Sequence, residues 1–189
     1  TIPHAIWVHA ASVGEVELVK PLLDDLSQSH SIVLTTFTAT GYQHALRIFP
    51  PKVHVRVLPI DFLPISRHFM KTHRFKLGLI AETELWPETL FYAKQYQLPL
   101  VQVNARLSEK SLDNPHWINQ LLMRTLGYID LHLTRTESDV TALLSMNVRG
   151  EKIIVCGNLK FASADNSPYR PSELNNLIGR PYILFASSR

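Results

Sequence analysis

Five short segments gather side chains able to move protons or hold anions. In Ala11-Ser12-Val13-Gly14-Glu15, a hydroxyl and a carboxylate flank Gly14, which permits a tight turn or close approach of a ligand to the backbone. Glu15 is a candidate general base, and the free N–H groups of a helix's first turn would favour its ionised, weakly basic form. The same S-x-x-E spacing fits a capping box that needs no chemistry, so both readings stay open. Glu82-Thr83-Glu84-Leu85-Trp86-Pro87 offers two carboxylates before a helix-starting proline; one can cap that helix while the other faces a cleft. In Asn104-Ala105-Arg106-Leu107-Ser108, Arg106 can grip a phosphate or pair with an acidic neighbour. Gly157-Asn158-Leu159-Lys160-Phe161 carries an ammonium near a domain boundary. Along Thr35 to Gly41, Thr38 and Gly41 can contact a sugar or phosphate, or close off the following helix.

Each of these segments follows an apolar run of strand length. The runs are Ala5 to His9, Ile32 to Thr36, Val53 to Leu58, Leu77 to Ile80, Leu98 to Val103, Leu131 to Thr134 and Ile153 to Val155. They are continuous rather than alternating, as parallel strands covered on both faces should be. Helical patterns lie between them: Glu15 to Ser29, Thr40 to Ile48, Pro64 to Thr72, Pro87 to Tyr96, Pro115 to Leu126 and Glu137 to Ser145. Val16, Val19, Leu22, Leu23 and Leu26 recur at helical spacing in the first. This alternation predicts a Rossmann-like, doubly wound parallel α/β sheet, which binds ligands at the carboxyl ends of its strands. Residues 1–161 read as that domain, 162–180 as a Ser-, Asn- and Pro-rich linker, and 181–189 as the first strand of a further domain.

Composition narrows the classes. Of 189 residues, 46% are hydrophobic and 19% charged, which excludes a disordered chain. The net charge of +3 is too small to argue for nucleic acid but suits an anionic partner. Cys156, the only cysteine, ends an apolar run and reads as a buried structural thiol in a reducing compartment. No apolar stretch reaches the roughly 20 residues that span a bilayer. His9, His54 and His73 show no metal-ligand grouping. Dinucleotide, P-loop and nucleophile-elbow motifs are missing from the sequence, and no cofactor is indicated.

Taken together, His9 to Glu15, Thr35 to Gly41, Leu58 to Asp61, Glu82 to Pro87, Asn104 to Ser108 and Gly157 to Phe161 resemble, in order and spacing, the 3-deoxy-D-manno-octulosonic acid (Kdo) transferases. Ala39, Ala81 and Ala162 depart from the family pattern, which usually has Pro, Met and Asp there. The resemblance implies the N-terminal, acceptor-binding half of a two-domain GT-B glycosyltransferase. It implies inverting, metal-independent transfer of Kdo from CMP-Kdo, held mainly by a C-terminal domain, to a lipid A precursor. Glu15 matches the family's base, and Glu82 and Lys160 match positions that stabilise the transition state. Ser12, Gly14, Thr38, Gly41, Glu84, Arg106 and Asn158 are the expected substrate contacts, with Lys20 and Arg47 as weaker candidates. An anchoring segment and a place on the cytoplasmic face of the bacterial inner membrane are also implied, the present chain being soluble and inactive alone. Another nucleotide-sugar GT-B enzyme and a non-catalytic α/β binding module are the rival classes.

Overall fold

The computed structural model describes residues 2, 4–107 and 115–159. Seven apolar segments form β1 (Ile6–His9), β2 (Ile32–Thr36), β3 (Val53–Val57), β4 (Leu77–Ala81), β5 (Leu100–Ala105), β6 (Leu131–Thr134) and β7 (Ile153–Val155). The connecting helices are α1 (Val13–Ser29), α2 (Ala39–Ile48), α3 (Leu63–His73), α4 (Pro87–Gln95), α5 (His116–Gly127) and α6 (Glu137–Ser145). All strand pairs are parallel, in the order β3-β2-β1-β4-β5-β6-β7. The expected doubly wound sheet is therefore present.

Every residue of β1, β2, β4, β5 and β6 is buried. Successive side chains go to opposite faces, so Ile6 and Val8 join a core with Val16, Val19, Leu22 and Leu23 of α1. Trp7 joins the other face with Phe69, Met70, Leu90 and Ile129. The half-buried thiol of Cys156 is pushed up to about 11 by burial, so it stays protonated and structural.

Most element boundaries follow the apolar pattern, and two differ for local reasons. α1 starts at Val13, which places Gly14 and Glu15 inside its first turn. β5 starts at Leu100 because the Leu98 amide is used by α4: Gln97 takes φ 56° and Leu98 N–H donates to Ala93 O at 2.9 Å. The expected linker and following strand, 162–189, lie outside the described residues.

From β1 the chain turns through α1 to β2, and from β4 through α4 to β5 on the other side. The carboxyl ends of β1 and β4 thus diverge and open the crevice where ligands bind in such sheets. The position of α4 depends on Asp61. Trp86 at its N-cap has no side-chain cap bond. Asp61 instead accepts from Glu88 N–H at 3.1 Å, Thr89 N–H at 2.7 Å and Thr89 Oγ1 at 2.7 Å. Asp61→Ala is expected to destabilise the fold by about 1–3 kcal/mol, because two amides lose their acceptor. Asp61→Asn should lose less, with both read from the midpoint of urea unfolding.

Candidate active site

Glu15 lies half-buried at the start of α1, on the β1 side of the crevice. Its Oε2 accepts from Ala11 N–H at 2.7 Å and its Oε1 from the Ser12 hydroxyl at 3.0 Å. Ser12 is the N-cap, yet its side chain accepts no backbone N–H, so the reciprocal capping box permitted by the spacing does not form. The carboxylate reaches the amide before the cap instead. The first-turn position leads one to expect a carboxyl held below its ordinary value, and burial shifts it the other way. Burial holds the Glu15 carboxyl above its ordinary value of 4.5, Glu84 adds to the shift, and the hydrogen bonds from the Ala11 amide and the Ser12 hydroxyl oppose it.

The loop carrying Glu15 is fixed by its neighbour. Ala11 O accepts from Phe37 N–H at 3.0 Å, Thr38 N–H at 2.9 Å and the Thr38 hydroxyl at 3.1 Å. Thr38 Oγ1 also caps α2 by accepting from Gly41 N–H at 3.1 Å. A Cβ on Gly41 would stand 3.1 Å from Ala11 O and 3.2 Å from Ser12 C, so glycine is what lets the loops meet. Thr38 and Gly41 thus support Glu15 from behind. Gly14 differs, since a Cβ there would meet nothing nearer than Ser12 Oγ at 4.0 Å, leaving an open approach to the helix start.

His9, missed as a site residue in the sequence, forms the buried floor. Its Nε2 accepts from Trp86 Nε1–H at 2.9 Å, while Nδ1 lies 3.0 Å from Thr35 Oγ1 and 3.1 Å from Thr35 O. Indole N–H can only donate, so the ring is neutral with its proton on Nδ1. The 3.7 Å contact from His9 Nε2 to Glu84 Oε2 is therefore no ion pair in this arrangement. Trp86 packs on the exposed Phe37 with ring centroids 4.7 Å apart, giving the crevice an apolar lip.

Glu82 stands at the carboxyl end of β4 with φ 49°, a left-handed backbone held by its surroundings. Its N–H donates to Val103 O at 2.9 Å, its carbonyl accepts from Gln102 Nε2, and its Oε1 accepts from Asn104 Nδ2 at 3.3 Å. Gln102 Oε1 in turn faces His132 Nδ1 at 2.6 Å. Burial, and then Lys152, bring His132 down to about 4, so this ring too is neutral.

Other candidates divide by position. Arg106 is exposed at the end of β5, its carbonyl accepting from the Thr83 hydroxyl at 2.7 Å, and its guanidinium makes no ion pair among the described residues. Asn158 is half-buried beyond β7, and Lys160 lies outside the described residues. The two weaker candidates do not reach the crevice. Lys20 pairs with Asp24 at 2.5 Å, and Arg47 occupies the last turn of α2, about 13 Å along the helix from Thr38. Among the described residues, no group of three or more His, Cys, Asp or Glu side chains is placed to hold a metal ion.

Because the folded protein binds the Glu15 proton more tightly than the unfolded chain, this group's contribution to stability falls as pH rises from 4.5 through the raised value. Above that value the contribution stays unfavourable. Glu15→Gln keeps an acceptor for the Ala11 amide without the charge, and is expected to melt at or above the wild-type temperature at neutral pH. A clear fall in melting temperature would show that the carboxylate is structural.

Residues 1–163 match the family described as 3-Deoxy-D-manno-octulosonic-acid transferase (kdotransferase). The 3-deoxy-D-manno-octulosonic acid transferase of Bordetella pertussis is 33% identical over 192 residues, covering 97% of this chain and 44% of its own length. That of Haemophilus influenzae is 35% identical over 163 residues, covering 84% and 38%. The chain therefore spans less than half the length of these curated relatives. In fold, the UDP-GlcNAc 2-epimerase of Neisseria meningitidis bound to UDP-GlcNAc superposes with a TM-score of 0.62 at 15% identity, over 84% of this chain and 48% of that one. The UDP-GlcNAc 2-epimerase of Methanocaldococcus jannaschii gives 0.62 at 15% identity, over 84% and 47%. At such identity the likeness concerns the GT-B type of fold alone. The sequence match carries more, and the chain belongs to the 3-deoxy-D-manno-octulosonic-acid transferase family.

Proposed function

We propose that the full-length protein transfers Kdo from CMP-Kdo to a lipid A precursor in lipopolysaccharide biosynthesis, with this chain supplying the acceptor side. The observation that carries this reading is Glu15: a half-buried carboxylate with raised proton affinity at the β1–β4 crevice of a chain in this family. Glu15 takes the proton from an acceptor hydroxyl as its oxygen attacks the anomeric carbon of Kdo. The new C–O bond forms on the face opposite the breaking bond to CMP, so configuration inverts. Glu82 offers negative charge to the oxocarbenium-like sugar, and Lys160 and Arg106 offer positive charge to phosphate. Ser12, Gly14, Glu84 and Asn158 line the approach, over the wall made by Thr38 and Gly41. Residues 162–180 serve as linker and 181–189 begin a donor-binding domain, so the chain alone is inactive.

Metal-independent transfer follows from this assignment, because burial already makes Glu15 a better base. In the full-length enzyme, Glu15→Ala is expected to lower kcat by about 10²–10⁴-fold with the fold kept. The acid limb of kcat/KM should lie above the ordinary 4.5 of a glutamate, and EDTA should leave turnover unchanged. A folded Glu15→Ala variant with near-normal turnover would move the base elsewhere. Transfer from a different nucleotide sugar, and none from CMP-Kdo, would replace the donor.

The same reading places the protein on the cytoplasmic face of the bacterial inner membrane, and α3 supports it. Ile60, Phe62 and Leu63 are 72%, 58% and 52% exposed, and Arg67, Lys71 and Arg74 are exposed along the helix beyond them. From Phe62 to Ala81 there is no Asp or Glu. An apolar end followed by unopposed cations suits an anionic lipid surface, at about 1 kcal/mol per basic residue. Among the described residues, no helix is long and apolar enough to cross a membrane. The chain should sediment with phosphatidylglycerol-containing vesicles, less so in high salt, and Arg67→Glu with Lys71→Glu should release it. Equal binding by this double variant would remove α3 from the contact.

A further inference from the structure

We propose that Asn104 is a positioning residue for the transfer, holding the Glu82 carboxylate and tying it to the segment that leads into Lys160. The inference rests on the function proposed above. Asn104 sits near the carboxyl end of β5, 4% exposed, with φ 54°. The β5–β6 register shifts between Gln102 and Ala105, an irregularity of the kind that re-aims a side chain. Its Nδ2 donates to Glu82 Oε1 at 3.3 Å, and its Oδ1 accepts from Leu159 N–H at 3.2 Å. The amide can face only one way. Turned over, its oxygen would meet a carboxylate and its NH₂ would meet an N–H.

One side chain thus joins the loop after β4 to the strand end after β7. Asn tolerates the left-handed backbone that this needs, whereas Glu82, also left-handed, is kept there by its bonds to Val103 and Gln102. Here the partner is a half-buried carboxylate on the crevice, and the second partner is the amide immediately before Lys160. Removing Asn104 leaves Leu159 N–H, on a buried residue, without its acceptor and lets the Glu82 carboxylate turn.

The test uses the full-length enzyme with Asn104→Ala and Asn104→Asp. Asn104→Ala is expected to lower kcat by about 10²-fold, the usual cost of a small misplacement, with KM for CMP-Kdo within about 2-fold. Asn104→Asp sets two carboxylates side by side and should be as impaired at neutral pH. As pH falls, one shared proton restores an O–H donor to Glu82 while the other oxygen still accepts from Leu159, so Asn104→Asp should gain activity relative to wild type. Among the described residues, the titratable groups on the elements flanking the pair include Glu84 on the same loop, Glu15 on α1, His9 on β1, His132 on β6 and Arg106 after β5. They are common to both proteins, so the difference between the two profiles reports on residues 82 and 104.

Hydrogen exchange supplies a readout without activity. In Asn104→Ala the Leu159 amide should exchange at least about 10-fold faster while amides of β1 keep their protection. Wild-type kcat in Asn104→Ala, no acid gain in Asn104→Asp, or unchanged Leu159 exchange would each overturn the inference. Absence of Kdo transfer by the wild type would instead sink the proposed function, with the exchange measurement still deciding whether Asn104 fastens the segment.

Discussion

Parallel pairing of β1 with β4, from Ile6 opposite Leu77 to His9 opposite Ile80, is the constraint on which the site depends. The two strands are neighbours in the sheet, yet their connections leave in opposite directions, so neither α1 nor α4 bridges the gap between their carboxyl ends. Glu15 arrives from the β1 side, and Glu82 and Glu84 from the β4 side. The crevice follows from strand order, and the sequence determines what stands in it. Apolar clusters pack against both faces of the sheet and support that order.

Carboxylates on such an edge would ordinarily be held by cations, and among the described residues no Lys or Arg pairs with Glu15, Glu82 or Glu84. His9 is committed as a neutral ring between Trp86 and Thr35, and Glu15 is satisfied by one amide and one hydroxyl. Burial therefore dominates the electrostatics at Glu15 and raises its proton affinity above that of a free glutamate. The support that Ala11 O and Gly41 give to the loop keeps this carboxylate in place, as the role proposed for Glu15 would require.

The strands and helices were legible because buried parallel strands are uninterrupted apolar runs, and β2, β6, β7 and α6 fall where those runs place them. The chemistry around Glu15 was legible only in part. S-x-x-E spacing cannot tell which way a serine turns, and the dipole of one exposed helical turn is a small effect beside burial that the sequence does not display. Asp61 was invisible as the cap of α4 because its partners lie 27 and 28 positions away. A signal for the polar floor did exist. Gln102 and Asn104 interrupt the apolar β5 at alternate positions, as His132 and Thr134 do in β6, and polar side chains at such spacing in a buried strand must find partners. The partners cannot be named from the chain, since they lie on β6, in the loop after β4 and beyond β7.

The charges are also unevenly distributed, and this bears on how substrates would sit. Around β1 and β4 the crevice presents carboxylates and an apolar lip of Phe37 and Trp86, which suits a neutral sugar hydroxyl and repels phosphate. Among the described residues the cation next to it, Arg106 after β5, belongs to the opposite side. Under the proposed reaction, the anionic groups of donor and acceptor would therefore be drawn toward the end of β5 while the attacking hydroxyl is turned toward Glu15. Asn104 lies where those two halves meet, which is why a single buried amide can matter to both.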